Sequence, residues 1–373
     1  MSGDADVNGN VVLSSGTLTA PSGNFDVSGS WTDSGGIFNA GIQTVIFTGA
    51  GSITGGAFDN LTVNASGTYT LTNALTVAGA LNIESGVLDA NGQTVAVTGL
   101  ATISGTGIYG GSIATQSFGG LTISGGTFDA DTGDVDVNGD VTLSSGSLIL
   151  SPVHLGNLYV SGNWMNSGGV FTANISDVIL SGTNQQISGN NTFYDLTKLN
   201  GGLDTLVFAS GDTQVVTNQL DLSGVDALHQ LSLRSSSSPG TWLLNLGETV
   251  NLSYLNVKDS QASGTLASCR VGCTDSGNNT GWFFGSTPLT PLSSSGFSLG
   301  VPSGQDVILQ GLNAATITID GQTGVPGVGT YWIPYGENWK NIKNDSKFNI
   351  WVADHAVQEP EDVELLPSSD SQI

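Results

Sequence analysis

Residues Asp134 to Leu148 read DVDVNGDVTLSSGSL, and residues Asp4 to Leu18 read DADVNGNVVLSSGTL. The two stretches are copies. In each, apolar residues alternate with polar ones, as in Val135-Asp-Val137 and Ala5-Asp-Val7, and short turns of Asn-Gly or Ser-Gly separate the runs. Alternation with period two puts one side-chain set on one face of a strand. The recurring unit is apolar, any, apolar, small or polar, Gly. It occurs at Ala5-Asp-Val7-Asn-Gly9, Phe25-Asp-Val27-Ser-Gly29 and Val45-Ile-Phe47-Thr-Gly49, with a 20-residue step each time. The same step separates Gly79 from Gly99 and Gly162 from Gly182, and twice that step separates Gly99 from Gly139.

A fixed step of this length predicts three short strands and three turns per coil. Each coil pairs its backbone with the coils before and after it, and no coil buries its own apolar face, so many must stack. Roughly 14 coils at about 4.8 Å would make a rod on the order of 65 Å. The terminal glycine of each unit is expected to supply a positive φ at the turn. An antiparallel sandwich or barrel would not produce a constant step. The 30-residue interval from Gly49 to Gly79 does not fit the period.

A longer repeat lies over the short one. Gly29-Ser-Trp31-Thr-Asp-Ser-Gly-Gly-Ile-Phe38 matches Gly162-Asn-Trp164-Met-Asn-Ser-Gly-Gly-Val-Phe171, and a third mark recurs at Phe58-Asp-Asn-Leu61, Phe118-Gly-Gly-Leu121 and Phe193-Tyr-Asp-Leu196. The regular pattern holds to about residue 200. Irregular coils are expected to 284, closing at Trp282-Phe283-Phe284. A Pro/Ser/Thr linker follows at 285–296, then a small β domain at 297–357 carrying Trp332, Trp339 and Trp351, then an acidic, flexible tail at 358–373.

Composition narrows the function classes. Of 373 residues 54 are glycine, only 10% are charged, and the net charge is −24. All seven basic residues lie at Lys198 or later. Such a surface repels phosphate backbones and anionic membranes, which argues against nucleic-acid binding. No apolar stretch is long enough for a membrane-spanning helix, so no membrane insertion is expected. The chain starts in mid-pattern without a signal peptide, and so reads as a fragment of a longer secreted protein. That start leaves a coil edge open and suggests homotypic, end-to-end contacts that could build a filament. Cys269 and Cys273 (Cys-Arg-Val-Gly-Cys) read as a short surface-loop disulfide, with two free thiols as the alternative.

The 20-residue coils with Asn-Gly and Ser-Gly turns, the Gly162-Asn-Trp164-Met-Asn-Ser-Gly block and the closing Asn-Asn-Thr-Gly281-Trp282-Phe-Phe resemble filamentous-haemagglutinin-like adhesins and autotransporter passengers. The resemblance covers roughly residues 4–284. It implies a right-handed parallel β-helix, export, and a place on a bacterial cell surface.

Sites of chemistry are sparse. The densest acidic segment holds Asp129, Asp131, Asp134, Asp136 and Asp140. Asp134 and Asp136 alternate with Val135 and Val137, so both face outward, about 6.5–7 Å apart. A glycosidase needs two carboxylates at about 5–10 Å. Asp4 and Asp6 repeat the arrangement in the duplicated block, which favours a solvated acidic face; calcium binding and catalysis are the alternatives. A lyase needs a cation beside a sugar carboxylate, and residues 1–197 have no Lys or Arg. His154, His229 and His355 are far apart. Trp31 and Trp164 occupy equivalent places and could stack on sugars or pack over a coil edge. Threonine positions drift, against a regular hydroxyl face. The expectation is an extracellular structural or adhesive protein without a cofactor other than calcium, with a glycan or cell-surface molecule as ligand. A polysaccharide-binding or polysaccharide-degrading enzyme is the alternative.

Overall fold

The computed structural model describes residues 3–199 and 201–284, and beyond these the backbone of strands Asp306–Gly311, Ile317–Ile319, Gln322–Gly324, Gly329–Ile333 and Phe348–Ala353. The described residues contain strands and no helix. The strands of residues 3–284 that pair do so in parallel, coil upon coil at about 20 residues per coil, so these residues form a parallel β-solenoid. It divides into two compact units, residues 1–199 and 200–373.

In the first unit the strands stack in three columns. The first column runs through Ala5, Phe25, Val45, Leu61, Leu81, Ala101, Leu121, Val141 and Trp164, each paired with the next. The second runs from Val11 through Trp31, Ile53 and Leu71, and continues from Thr70 through Asp89, Gly110, Asp129, Ile149 and Thr172. The third includes Leu75, Val95, Gln116, Val135, Leu158 and Val178. Alternate residues point inward and fill the coil: Val27, Val63, Ile83, Ile103, Ile123 and Leu143 are all fully buried. Burying such a side chain contributes roughly 1.5–3 kcal/mol.

The columns account for the 30-residue interval. Gly49 ends a strand of the first column and Gly79 ends a strand of the third, because the motif changes column between them. The change coincides with a short coil. Val45 pairs with Leu61, a smaller step than the 20-residue one that then carries the column through Leu81, Ala101 and Leu121. The duplicated block is therefore turned by one column. Ala5–Val7 lies in the first column and its copy Val135–Val137 in the third; Trp31 lies in the second and its copy Trp164 in the first.

The glycines that end each strand do not have positive φ, contrary to expectation: Gly49, Gly79, Gly99, Gly139, Gly162 and Gly182 are all outside that set. Coil-to-coil approach requires them instead. A Cβ on Gly139 would stand 2.3 Å from the Gly119 carbonyl oxygen, and one on Gly182 would stand 1.8 Å from that of Ser161. Gly9, in the first described coil, would meet nothing within 4 Å.

The second unit keeps the parallel pattern with uneven coils. Asp204–Phe208 pairs with Leu231–Ser235, which pairs with Leu255–Val257; Trp242–Leu246 pairs with Ser260–Gly264; Ala267–Cys269 pairs with Trp282–Phe284. Phe208 stacks on Trp242 at 3.8 Å, and Trp242 meets Trp282 at 6.4 Å. Within the expected small β domain, Asp306–Gly311 lies antiparallel between Gly329–Ile333 and Phe348–Ala353. The expected linker at 285–296 and tail at 358–373, and Trp339, lie outside the described residues.

Candidate functional site

The acidic segment is part of the joinery of the solenoid. Asp134 and Asp140 each stand immediately before a strand. Asp134 Oδ1 accepts a hydrogen bond from the Asn157 amide at 3.0 Å, and Asp140 Oδ1 accepts one from the Asn163 amide at 2.6 Å. In both cases the donor stands immediately before the paired strand of the next coil. Asp4 does the same for the Asn24 amide at 2.8 Å, Asn10 for Ser30 at 2.8 Å, Asn60 for Ala80 at 2.9 Å, and Asn163 for Gln186 at 2.8 Å. A short side chain with a carbonyl or carboxylate oxygen is what such a corner requires: it reaches one coil spacing and satisfies an amide that the ladder leaves over. Aspartate and asparagine are therefore interchangeable there, as the copies Asn10 and Asp140 show.

Asp129 and Asp131 form a turn. Asp131 has φ 55°, and its amide donates to Asp129 Oδ1 at 3.1 Å. Asp89 and Asn91 repeat it in an earlier coil, with Asn91 at φ 46°. Asp136 turns its carboxyl outward between register neighbours Ser117 and Tyr159. Partial burial, with the Asp134 charge adding, raises its pKa above the ordinary carboxylate value. Among the described residues no three His, Cys, Asp or Glu side chains gather so as to hold a metal ion.

Trp31 and Trp164 are not available to sugars: both indoles are inside the coil, at 0% and 1% exposure. Of the two roles considered, sugar stacking and packing over a coil edge, the indoles take a packing role inside the coil, where each ring closes an aromatic cluster. Trp31 meets Phe38 at 4.7 Å and Phe58 at 5.3 Å; Trp164 meets Phe171 at 4.7 Å and Phe193 at 5.4 Å. The turn that follows is also copied. Asp33 Oδ1 accepts from the amides of Gly35 and Gly36, and Asn166 Oδ1 from those of Gly168 and Gly169. The Trp-to-Phe block and the later Phe mark of the sequence are thus parts of one aromatic module at Phe58 and at Phe193, whereas Phe118 packs against Tyr109 and Phe128. Their common role was hidden because the third partner, Phe58 or Phe193, is a full coil away.

The threonines drift less than their spacing suggests. Thr102, Thr122 and Thr142 stand in register on the outer side of the first column, preceded by Thr62 and Asn82 and followed by Met165. His154 packs edge-on to Tyr194, and His229 Nδ1 lies 2.9 Å from Asp226 Oδ1. His355 is outside the described residues.

Cys269 and Cys273 are joined by a disulfide, with Cα atoms 6.0 Å apart. Cys269 is fully buried at the end of strand Ala267–Cys269, so the bridge ties the interior to the loop and is not a purely surface feature. Sequence reasoning passed over Arg270, the first of the three residues between them. Arg270 has its guanidinium carbon 5.7 Å from the ring centroid of buried Phe283, and its Nε donates to Ser268 Oγ at 3.0 Å.

No helix among the described residues is long and apolar enough to cross a membrane. These features define a parallel β-solenoid whose coils are linked by Asp and Asn corners. The chain matches no known family, no curated protein and no solved structure.

Proposed function

We propose that this protein is a non-catalytic structural or adhesive component of an extracellular surface. The observation that carries the reading is the use of its acids. Asp134 and Asp140 each give an oxygen to an amide of the next coil and Asp129 gives one to the amide of its own turn, so of the pair with glycosidase-like spacing, Asp134 and Asp136, the first serves a coil joint. Duplication supports it as well. Two copies of a packing module, turned by one column, lengthen a scaffold; a catalytic centre gains nothing from a rotated copy of its surroundings. The disulfide fits an oxidising compartment, and the coil motifs resemble those of bacterial surface adhesins.

The test is incubation of the full chain with a panel of neutral and acidic polysaccharides, scoring both retention and cleavage. Retention on a glycan or a cell surface without cleavage, or neither, agrees with an adhesive or a purely structural role. Turnover that Asp134→Asn abolishes would overturn the proposal.

A further inference from the structure

The outer side of the third column carries chemistry that the coil joints do not use. Its outward register row begins with the small residues Thr76, Ala96 and Ser117 and then changes to Asp136, Tyr159 and Ile179. Their strand neighbours Val135, Val137, Leu158 and Val160 fill the interior, so alternation directs the row outward. Ile179 is only 8% exposed at an outward position. Side chains around it therefore rise above it, and the face has relief.

The corner that leads onto this face is longer there. Val135 and Leu158 are register partners 23 residues apart, against 20 for Leu158 and Val178. The extra length is tied by its own hydrogen bonds: Ser151 Oγ donates to the Val153 carbonyl at 2.6 Å, and the Leu155 amide donates to the same oxygen at 2.7 Å. The corner presents Val153 and Leu155 to solvent and sets the His154 ring edge-on to Tyr194 at 5.7 Å. Tyr194 directly precedes Asp195, which is in register with Asp177 at the start of this column. One margin of the row is thus aromatic and apolar. The other is polar: Asn138 Nδ2 donates to Ser117 Oγ at 3.4 Å, and the Ser161 and Ser181 hydroxyls lie 3.0 Å apart.

A sugar ring has the matching pattern, with apolar C–H faces and a rim of hydroxyls. Tyrosine offers an apolar body with a polar tip, and serine and asparagine side chains both donate and accept. Asp136 is partly buried beside the Asp134 charge, which holds its pKa above the ordinary carboxylate value. A sugar hydroxyl gives such a carboxylate a charge-assisted hydrogen bond without adding charge. Charge also selects among sugars. Residues 1–197 have no Lys or Arg, while Asp134 and Asp136 lie on this face and Asp131 in the preceding corner. A uronate or sulfated sugar meets repulsion and no counter-charge. From Ser117 to Thr197 the row crosses five coils, about 19 Å at about 4.8 Å per step, which suits several rings in line.

We propose that this face of the third column binds a neutral oligosaccharide laid along the solenoid, with Tyr159 under a ring face and Asp136 accepting from a ring hydroxyl. The proposal rests on the adhesive form of the reading above, and the two fail separately. Cleavage of a bound glycan removes the non-catalytic reading, whereas absence of binding removes this face alone and leaves a structural role.

The experiment is calorimetric titration of the full chain, at one ionic strength, with hexamers of glucose, mannose, galactose and N-acetylglucosamine, and with a galacturonate hexamer. At least one neutral hexamer should bind saturably, and galacturonate should bind more weakly by roughly tenfold or more. Tyr159→Ala should weaken the neutral hexamer by roughly tenfold or more, and Tyr159→Phe, which keeps the ring, by less. Asp136→Ala, a change at an outward position, should weaken it by about threefold or more and covers the case in which Tyr159→Ala unfolds. Thr122→Ala, on the outer side of the first column, should leave affinity unchanged. No saturable binding of any neutral hexamer, equal binding of galacturonate, unchanged affinity in folded Tyr159→Ala or in Asp136→Ala, or an equal loss in Thr122→Ala would each overturn the proposal.

Discussion

The Trp164 indole donates to Asn191 Oδ1 at 2.9 Å inside the solenoid, while the indole of its copy, Trp31, has a buried nitrogen with no acceptor. Gly56 lies beside the Trp31 nitrogen, and a Cβ added there would stand 2.8 Å from it. Two copies with the same ring geometry therefore differ in one hydrogen bond. Trp164→Phe should cost more stability than Trp31→Phe, by about 1 kcal/mol, because only the first removes a hydrogen bond, while Asn191 Oδ1 keeps its bond from Asn166 Nδ2 at 3.2 Å. Urea unfolding of the two variants measures the difference; equal losses would contradict it.

Glycines at the strand ends separate close approach from conformational freedom. Gly139→Ala should destabilise the protein by about 1–3 kcal/mol, since the new methyl overlaps the Gly119 carbonyl. Gly9→Ala has the same motif context but meets no neighbouring atom, and should be neutral or slightly stabilising. Thermal unfolding of both variants checks this, and a neutral Gly139→Ala would contradict the stacking argument.

The corner hydrogen bonds predict an asymmetry at Asp140. Asp140→Asn keeps an acceptor for the Asn163 amide and should leave stability within about 0.5 kcal/mol. Asp140→Ala removes it and should cost about 1 kcal/mol. Hydrogen exchange at the Asn163 amide is the direct readout: it should accelerate in the alanine variant and stay protected in the asparagine variant.

Acid should relieve an electrostatic penalty at Asp26. Burial raises its pKa above the ordinary 3.8, with Asp6 and then Asp4 adding repulsion, and Oδ1 is buried without a partner. A carboxyl whose folded pKa exceeds its unfolded value binds protons more readily when folded. Its destabilising effect is complete above the folded pKa and disappears as the pH falls below 3.8. Asp26→Asn should therefore raise the urea midpoint at neutral pH, and that gain should vanish in acid. A gain that persists at low pH would assign the effect to packing instead of charge.

The alternation in Val135-Asp-Val137 and the 20-residue step from Gly9 to Gly29 to Gly49 were sufficient for the coil, its parallel pairing and its inward face, because strand periodicity and turn spacing are local properties. The same residues left the site only partly legible. Asp134 and Asp140 look like any pair of surface acids until the next coil places the amides of Asn157 and Asn163 against them. Trp31 and Trp164 look like exposed aromatic marks until Phe58 and Phe193 close over them from a coil away. Which column a strand joins is likewise decided in three dimensions. It depends on the summed length of all preceding corners, so the short coil between Val45 and Leu61 turns every later copy by one face without altering a single local motif.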